Sequence, residues 1–277
     1  MRVVKRLILL SLMTALLRVG SASAADASGW SQLPSLPDKE GFASMFAGVS
    51  GGALLAAGGA NFPDKKPWEG GKKVWYDTVF VLEKPDGQWK AAGKLPRPLG
   101  YGVSVTWRDG VVCAGGSDAE RHRPEVFRLT WRGGKLLTQA LPTLPRSVAN
   151  LSGDLLGNTL YLAGGAERPD STSTLRTFFA LDLGAKQPAW RELEPWPGPA
   201  RMLAVAAAQD GSFFLVSGAD LSPGPDGKPV RTYLRDGYRY TPGKGWKRIA
   251  DLPRATVAAP SPAPTLGQTR FLVVSGD

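Results

Sequence analysis

The sequence predicts an all-β fold built from repeated four-stranded sheets, and three observations support this prediction. Apolar runs of strand length alternate with turn residues along the whole chain, which contains 34 Gly and 23 Pro residues. The chain shows neither a heptad pattern nor a long helical periodicity. A motif of one Trp, an apolar-Pro pair and two apolar runs, the second ending in a Gly pair, recurs about every 50 residues. A repeat of this length and content is typical of the kelch β-propeller.

The copies of the motif are clearest at the Trp and at the Gly pair. A Trp is followed six and seven residues later by an apolar residue and Pro, as in Trp89 with Leu95-Pro96, Trp190 with Trp196-Pro197, and Trp246 with Leu252-Pro253. Trp30 follows the same rule with Leu36-Pro37, and Thr138 takes the Trp place before Leu144-Pro145. The Gly pairs are Gly58-Gly59, Gly115-Gly116 and Gly164-Gly165, continued as Ser217-Gly218 and Ser275-Gly276.

Each copy predicts one blade of four strands. In the first copy, residues 42–59 give two strands joined at Ser50-Gly51-Gly52, and residues 60–74 form a long polar loop. Residues 74–82 form the third strand, and Trp89 opens the outermost strand. We expect the Trp and the apolar-Pro pair to pack between blades, and the Gly pairs to lie where a side chain would clash with the next blade. The same interpretation applies to residues 101–144, 148–196 and 203–252.

The two ends of the repeat array are incomplete. The last copy begins at Thr256 and stops at Asp277, directly after its second strand. Residues 30–36 form an outer strand without a blade of its own, which we expect to complete the last blade of the ring and so protect its edge. We therefore expect one propeller domain over residues 25–277 that supplies about five blades and lacks at least one further strand.

Residues 1–24 are predicted to be a secretory signal peptide. Arg2, Lys5 and Arg6 form a basic head, residues 7–17 are an apolar run, and residues 22–24 are the small residues of a cleavage site. The mature protein would begin near Ala25 and be secreted or periplasmic, without a membrane segment. An uncleaved anchor is the alternative, although the apolar run is short for a membrane span.

The distribution of charge along the chain does not indicate a nucleic-acid partner. The formal net charge is +10, and removing the four basic residues of the leader from the 34 Lys and Arg leaves 30 against 24 acidic residues, or +6. The basic residues are scattered among turns, without the dense block that binds phosphate backbones. The excess suits a small anionic ligand and ordinary solubility equally well.

The chain contains one cysteine and one histidine, which limits its chemistry. Cys113 lies in the apolar run VVCAGG and is expected to be buried, with a reactive thiol as the alternative. His122 lies in a turn-like segment and cannot build a two-His metal site alone. These counts argue against Ser-His-Asp catalysis and against His-rich zinc or copper sites. We expect neither a metal nor another cofactor.

Residues 42–116 carry a closer resemblance. The segments are Phe46-Ala47-Gly48, Gly58-Gly59-Ala60 with Phe62, Glu69-Gly70 with Lys72-Lys73, and Tyr101-Gly102-Val103-Ser104. They resemble the bacterial N-acetylneuraminate epimerases, which are sialic acid mutarotases. In that family the segment lies near the C-terminus, whereas here it is the first blade, an order that resembles the cyclically permuted branch of the family.

The resemblance implies a six-bladed propeller whose central mouth accelerates anomer exchange of a sialic acid or a similar acidic sugar. Opening and closing a pyranose ring requires a base for the anomeric hydroxyl and a proton donor for the ring oxygen. Cationic groups are required to hold the sugar carboxylate. Neither a metal nor nicotinamide takes part.

Two carboxylates are candidates for catalysis by this resemblance. The family's catalytic carboxylate follows a strand-ending Gly and precedes a Pro-Gly-x-Arg element. That place falls on Asp277, an Asp rather than the expected Glu, with the Arg beyond the end of the chain. Glu69 lies in a matched motif on a long loop and is the second candidate. The alternatives are a turn residue for Asp277 and a loop acid paired with Lys72 or Lys73 for Glu69.

Eight further residues are candidates for substrate binding. Residues near the start of the innermost strands can face the central channel, where guanidinium groups would clamp a carboxylate. Arginines at such places in kelch repeats also bridge neighbouring blades, and this structural role is the alternative to substrate binding. The family's Arg before Tyr-Gly-Val-Ser falls on Leu99, so Arg97 would replace it only if the loop shifts. The candidates are Asn61, Lys73, Arg97, Tyr101, Arg146, Asn150, Arg201 and Arg254.

Three functions therefore compete on the sequence. The first is the mutarotase of an acidic sugar. The second is a non-catalytic propeller that binds a carbohydrate or a protein, because the fold alone implies no activity. The third, an oxidase similar to galactose oxidase, is disfavoured because its copper site needs two histidines. The sequence leaves the identity of the sugar and the oligomeric state open.

Overall fold

The computed structural model describes residues 31–267 and 269–276. The predicted signal peptide, Trp30 and the candidate catalytic residue Asp277 lie outside these described residues. Strands dominate the described part, and its helical structure is a short 3-10 helix, Pro67–Glu69. No helix among these residues has the length and apolar character needed to cross a membrane.

Four antiparallel sheets of four strands follow one another along the chain. The first comprises β1 (Phe46–Ser50), β2 (Ala53–Ala57), β5 (Thr78–Leu82) and β6 (Lys90–Lys94), with a hairpin of β3 (Ala60–Asn61) and β4 (Val74–Trp75) between β2 and β5. The second comprises β7 (Val103–Trp107), β8 (Gly110–Ala114), β9 (Val126–Arg132) and β10 (Lys135–Leu141). The third comprises β11 (Ser152–Leu156), β12 (Thr159–Ala163), β13 (Phe178–Asp182) and β14 (Trp190–Glu192).

The fourth sheet also carries an inserted hairpin, and a two-stranded sheet follows it. The four sheets are blades of a propeller, because the first strands of successive blades (β1, β7, β11 and β15) contact one another. The predicted repeat of four-stranded sheets is confirmed. The remaining strands are β15 (Val205–Gln209), β16 (Ser212–Val216), β17 (Ala219–Pro223) and β18 (Pro229–Tyr233) in the hairpin, β19 (Gly237–Thr241), β20 (Gly245–Ile249), and the pair β21 (Thr265–Leu266) and β22 (Arg270–Phe271).

Two predicted strand boundaries differ from the structure. The prediction of a third strand over residues 74–82 is wrong, because Val74–Trp75 pairs with Ala60–Asn61 in the inserted hairpin and the third strand begins at Thr78. The backbone between these two strands turns to bond elsewhere, since Tyr76 N donates to Gly59 O at 3.0 Å. The predicted outer strand over residues 30–36 is not seen either, as residues 31–36 carry no strand.

The apolar core lies between the blades. Each blade is covered by a neighbour, so both faces of its middle strands are buried, and all five residues of β8 are buried. One cluster joins Phe46 and Leu55 of the first blade to Cys113 and Phe127 of the second. Equivalent clusters join the second blade to the third and the third to the fourth. The predicted burial of Cys113 is confirmed, and this burial raises the pKa of its thiol.

The Gly pairs lie where the second strand of one blade meets the chain that leads into the next. Gly115 has a φ of +64°, and a Cβ built on it would lie 2.7 Å from Val148 O, closer than real Cβ atoms approach. Gly116 N donates to the same carbonyl at 2.8 Å. In the fourth copy Ser217 takes the first Gly place at a φ of 57°, and its hydroxyl donates to Leu234 O at 2.7 Å. The same hydrogen bond recurs in the other copies, where Gly59 N donates to Leu99 O, Gly165 N to Arg201 O, and Gly218 N to Thr256 O.

A second set of backbone bonds joins the blades around the axis. One residue just before each first strand has a positive φ: Ser44 (54°), Tyr101 (64°), Asn150 (58°), Leu203 (54°) and Ala258 (58°). The N–H groups of the last four donate to the carbonyl of the preceding residue in this set, at 3.1, 2.8, 2.8 and 3.0 Å in chain order from Tyr101 to Ala258. This chain of bonds fixes the spacing of the blades at one end of the axis, and we call these five residues the mouth residues.

The repeated Trp residues join neighbouring blades at their outer edges. In three copies the indole Nε1 donates to the backbone carbonyl that lies three residues before the Pro of the preceding copy. The bonds are Trp89 to Pro34 O at 2.8 Å, Trp190 to Pro142 O at 2.8 Å, and Trp246 to Glu194 O at 2.9 Å. The predicted packing between blades is confirmed for Trp190 and Trp246, whereas Trp89 bonds the segment before the first blade.

Replacing Trp190 by Phe tests this outer contact. Phe keeps much of the apolar contact but removes the bond to Pro142 O, so we expect the free energy of unfolding to fall by about 1–2 kcal/mol. Urea denaturation followed by far-UV circular dichroism measures the change. Trp68→Phe is the matched control, because Trp68 is 82% exposed and should tolerate the change. Equal losses in the two variants would contradict the assignment.

Candidate active site

A cavity of about 460 Å³ lies where the first strands of the blades converge. It is lined by the mouth residues Ser44, Tyr101, Asn150, Leu203 and Ala258, and by residues that follow them in the chain, most of which are small. A cavity of this size is in the range of small-molecule sites. The structure therefore brings two of the predicted substrate-binding residues, Tyr101 and Asn150, to one central cavity.

A recess of about 220 Å³ adjoins the central cavity, because Tyr101 lines both. The recess is formed by the loop between β3 and β4 and by the segment that leads into β1. Its polar lining consists of Glu40, Asn61, Lys66, Lys73 and Tyr101. Asn61, Lys73 and Tyr101 were predicted from the sequence to bind substrate, whereas Glu40 and Lys66 were not selected.

Lys73 is the most unusual charge in the recess. Its Nζ donates to Tyr101 Oη at 2.9 Å and lies 4.9 Å from the centre of the Tyr101 ring. Phe62 and Trp75 present their rings at 5.5 and 5.6 Å. None of the ion pairs between described residues involves Lys73. The aromatic rings stabilise the ammonium group without neutralising it, so its charge is available to an anion.

The two acidic residues near the recess have different surroundings. Glu40 lines the recess and forms an ion pair with Lys66, whose hydrogen bond and charge lower the pKa of Glu40. Glu69 is exposed, lies outside the recess lining, and accepts a hydrogen bond from Lys66 N at 2.9 Å across the 3-10 helix. Among the described ion pairs, none joins Glu69 to Lys72 or Lys73. The carboxylate that the sequence singled out thus caps the loop, and a neighbouring one lines the recess.

Asn61 shapes the recess from within the protein. It is buried, with both amide hydrogens used: Nδ2 donates to Gly41 O at 2.8 Å and to Asp38 Oδ1 at 3.2 Å. Its Oδ1 accepts a hydrogen bond from Tyr76 Oη at 2.8 Å. These bonds leave no amide hydrogen for a sugar hydroxyl, so Asn61 holds the segment before β1 against the loop.

The predicted ring of arginines does not surround the cavity. Arg201 is fully buried, and its guanidinium lies 2.8 Å from Asp236 Oδ2 and against the rings of Trp196 and Tyr238. Burial opposes ionisation of Asp236, but hydrogen bonds from Arg201 and Tyr238 outweigh it and lower the Asp236 pKa. Arg201 therefore bridges blades, the alternative that the sequence left open.

The other three predicted arginines lie farther from the axis. Arg97 pairs with Glu125 at 3.1 Å, Arg146 is half-buried and Arg254 is exposed. None of the three lines the central cavity. The reason is geometric, since the chain after each apolar-Pro pair still runs inward from the outer edge of the blade. The mouth residue, not the residue next to the Pro, is the one that reaches the axis.

Polar side chains also join the first strands to one another. Ser104 Oγ and Thr106 Oγ1 on β7 accept hydrogen bonds from Ala47 N and Val49 N on β1, both at 2.9 Å. Between the third and fourth blades a carboxylate, rather than a hydroxyl, accepts the hydrogen bond that joins the first strands.

That carboxylate belongs to Asp154 on β11. Its Oδ2 accepts a hydrogen bond from Ala208 N on β15 at 2.6 Å, and its Oδ1 accepts one from Leu155 N at 2.7 Å. Burial outweighs these two bonds and raises the Asp154 pKa to about 6. Asp154 was not selected from the sequence, where a charged residue inside an apolar first strand was the available signal.

His122 is buried, and its Nδ1 lies 2.8 Å from Ala166 O. Burial lowers the pKa of its imidazole, which is therefore neutral at pH 7. Over residues 31–267 and 269–276, no three His, Cys, Asp or Glu side chains are grouped so that they could hold a metal ion.

The fold and the central cavity together define a kelch-type β-propeller. The solved structure of YjhT, a propeller of this type, superposes with a TM-score of 0.70 at 14% sequence identity, covering 83% of this chain and 76% of that one. This likeness confirms the predicted fold class. The match lies at the level of architecture, because few residues are shared.

Sequence comparison identifies the family to which the first part of the chain is related. The profile described as N-acetylneuraminate epimerase matches residues 8–138. The N-acetylneuraminate epimerase of Yersinia enterocolitica is 40% identical over 125 residues, which are 39% of this chain and 31% of that protein. The N-acetylneuraminate epimerase of Salmonella enteritidis is 42% identical over 120 residues, again 39% of this chain and 31% of the relative. The predicted resemblance is confirmed over this segment.

The matched segment contains the recess and Tyr101, but it is a part of the relatives. This chain spans about a third of the length of the curated relatives that it matches. The place of the segment in a cyclically permuted order stays a prediction, as do the catalytic roles of Glu69 and Asp277.

Asp154 predicts how stability depends on pH. Its folded-state pKa of about 6 lies above its ordinary value of 3.8, so the folded protein binds the proton more tightly. The resulting stabilisation of the folded state is fully present below pH 3.8 and is lost as pH rises through 6. The loss in unfolding free energy is at most about 3 kcal/mol, and solvent screening makes it smaller. In Asp154→Asn this loss should be absent, so between pH 4.5 and 7 the unfolding free energy from urea titrations should fall less, or rise more, than in the unmodified protein. Asp86→Asn, in an exposed turn, should keep the original difference, and the same slope in both variants would refute the assignment.

Proposed function

We propose that this chain is a mutarotase that interconverts the anomers of N-acetylneuraminate or of a similar acidic sugar. The observation that carries the proposal is Lys73, which has no carboxylate partner among the described residues. It lines the recess and bonds Tyr101, which also lines the central cavity. The family profile described as N-acetylneuraminate epimerase matches residues 8–138, which contain this lysine. An acidic sugar supplies the carboxylate partner that Lys73 lacks among the described residues.

In the proposed complex the sugar carboxylate binds Lys73 in the recess. The ammonium group has three hydrogens, and one of them is donated to Tyr101. The remaining two can bond the carboxylate with charge assistance. The pyranose ring then extends into the central cavity past Tyr101, because Tyr101 lines both spaces. Asn150, the next mouth residue, offers a polar side chain to the sugar hydroxyls.

The reaction moves protons and consumes nothing. A base takes the proton of the anomeric hydroxyl, the bond from the anomeric carbon to the ring oxygen breaks, and the ring oxygen takes up a proton as the carbonyl forms. Rotation exposes the other face of the carbonyl, and the reverse steps close the ring as the other anomer. No metal and no nicotinamide is required by this scheme.

The recess offers a base and a donor for these steps. Glu40 lines it and is the carboxylate that would accept the anomeric proton. Its ion pair with Lys66 lowers its pKa, so it is ionised at neutral pH but is a weaker base than an unpaired Glu. Tyr101 accepts a hydrogen bond from Lys73, which leaves the phenol hydrogen to be donated to the ring oxygen. Glu69 and Asp277 keep the catalytic roles predicted for them only as alternatives, Glu69 because it lies outside the recess lining.

The proposed compartment is the periplasm or the exterior of the cell. The support is the leader over residues 1–24, with its basic head, apolar run and small-residue cleavage site. The proposed partner is the small acidic sugar, with no nucleic acid and no membrane after cleavage.

The activity is tested by proton NMR of freshly dissolved N-acetylneuraminate, following the two anomers with and without the protein. We expect faster approach to anomeric equilibrium with the protein. Lys73→Met should weaken sugar binding about 10- to 100-fold, because a charge-assisted bond is lost. Lys72→Met is the matched control, an exposed neighbour in the same motif whose loss should change binding less than twofold. If calorimetry shows that the sugar binds but the protein does not accelerate anomer exchange, the mutarotase proposal is wrong and a non-catalytic binding propeller is favoured.

The choice of base is tested with two matched carboxylate variants. We expect Glu40→Gln to lower the enzyme-dependent rate about 100-fold, because a positioned general base contributes at least this much. Glu69→Gln should lower it less than about tenfold, through its effect on the loop. The reverse order would restore Glu69 as the catalytic carboxylate and exclude Glu40.

A further inference from the structure

A second recess, of about 320 Å³, adjoins the central cavity, because Asn150 lines both spaces. Its outer wall comes from the segments between the second and third strands of the second, third and fourth blades, including the hairpin β17–β18. The first recess, which holds Lys73, is reached past Tyr101. Asn150 N donates to Tyr101 O at 2.8 Å. The two recesses therefore open past neighbouring mouth residues.

A buried histidine supplies an acceptor to the second recess. His122 lines it with 5% of its surface exposed. Its Nδ1 lies 2.8 Å from Ala166 O, and because a carbonyl oxygen only accepts, the ring hydrogen is on Nδ1. Burial lowers the pKa of the imidazole, so Nε2 keeps its lone pair at neutral pH. Nε2 has no hydrogen-bond partner among the described residues and is not fully enclosed, so it can accept a hydrogen from a ligand.

The hairpin β17–β18 turns one face to the second recess. Leu221 lies opposite Arg231 in the hairpin register, and both line the recess. Arg231 takes part in none of the ion pairs between described residues. Arg168, the other arginine of the wall, pairs with Asp170 at 3.0 Å. The hydrogens of the Arg231 guanidinium are therefore available to a ligand at the rim of the recess.

These groups suit a neutral chain of hydroxyls better than a second anion. The lone pair on His122 Nε2 repels a carboxylate but accepts the hydrogen of a hydroxyl. The oxygens of neighbouring hydroxyls can accept hydrogens from the Asn150 amide and from Arg231. Met202 and Leu221 add apolar surface, which suits the carbon atoms that carry the hydroxyls. The recess thus has the composition of a site for a polyol chain.

We infer that the second recess binds the polyol chain of the acidic sugar, an inference that rests on the proposed function. In N-acetylneuraminate the carboxylate and a three-carbon polyol chain are attached to the two carbons that flank the ring oxygen. With the carboxylate at Lys73 and the ring oxygen at Tyr101, the polyol chain extends past Asn150 to His122 and Arg231. The substrate class is therefore acidic sugars that carry such a chain, in preference to shorter sugar acids.

The seven-carbon analogue of N-acetylneuraminate, in which a hydroxymethyl group replaces the polyol chain, is the probe for this recess. It keeps the carboxylate and the anomeric centre but lacks two hydroxyls of the chain. We expect its dissociation constant in calorimetry and its KM in the NMR assay to be about tenfold higher than those of N-acetylneuraminate, because two hydrogen bonds are lost. Equal constants for the two sugars would overturn the inference.

Two variants test whether this preference arises in the second recess. His122→Phe removes the acceptor and Arg231→Met removes the donor at the rim. Each should weaken binding of N-acetylneuraminate about threefold or more and change binding of the analogue less than twofold. Arg231 is exposed, so Arg231→Met keeps the test if His122→Phe does not fold.

Lys228→Met is the matched control for Arg231→Met, because Lys228 is an exposed cation next to the same strand and lies outside the recess wall. It should keep the full preference for N-acetylneuraminate. Equal losses for the two sugars in Arg231→Met, or a preference lost in Lys228→Met as well, would contradict the assignment.

The inference and the proposed function fail in different ways. Preference for N-acetylneuraminate in calorimetry without faster anomer exchange would refute the mutarotase and support the second recess as a sugar-binding site. Faster exchange of both sugars with equal KM would support the mutarotase and refute the recess. If neither sugar binds, both are wrong.

Discussion

The structure depends on the backbone bonds that run from blade to blade near the axis. All five mouth residues adopt a positive φ, and the four from Tyr101 to Ala258 donate to the mouth residue before them. Each Gly pair allows a second carbonyl from the linking chain to approach without clashing with a Cβ. These bonds need particular backbone conformations, so they hold the blades in register whatever side chains fill the core between them.

The same bonds create the candidate site. Because the mouth residues are fixed by their backbones, their side chains are free to differ, and they range from Ala258 to Tyr101. Tyr101 is the one that reaches both the central cavity and the recess. The recess depends on the long insertion between the second and third strands of the first blade, which brings Lys73 and its aromatic neighbours beside the mouth. The backbone frame and this one inserted loop together form the candidate anion site.

Equivalent positions of the repeat carry different residues and make different contacts in different blades. The position that is Trp in three outer strands is Thr138 in the second blade, and a cavity results. The linking residue whose carbonyl bonds the second Gly is apolar at Leu99 and Val148, but it is Arg201 before the fourth blade. There a buried ion pair with Asp236 replaces apolar packing. Where the residue at a repeat position differs from the other copies, the packing between blades differs too, as a cavity beside Thr138 and as a buried ion pair at Arg201.

The sequence by itself determined the repeat, the four-stranded blades and the packing of the Trp residues, because these follow from local patterns of apolar, Gly and Pro residues. It also singled out Lys73 and Tyr101 through matched motifs. The position of the third strand of the first blade and the hairpin before it were missed, because an apolar run does not show where its backbone bonds lead. The choice between two nearby carboxylates could not be made from motif membership either.

Tertiary structure alone decided which side chains share a cavity. Arg97 and Arg201 both follow an apolar-Pro pair within four residues, yet one forms a half-exposed ion pair with Glu125 and the other is buried against Asp236. Glu40 is distant in sequence from Lys66 and Lys73 but lines the same recess. Such proximity depends on how blades and loops pack in space, and a linear pattern carries no measure of distance between residues that folding brings together.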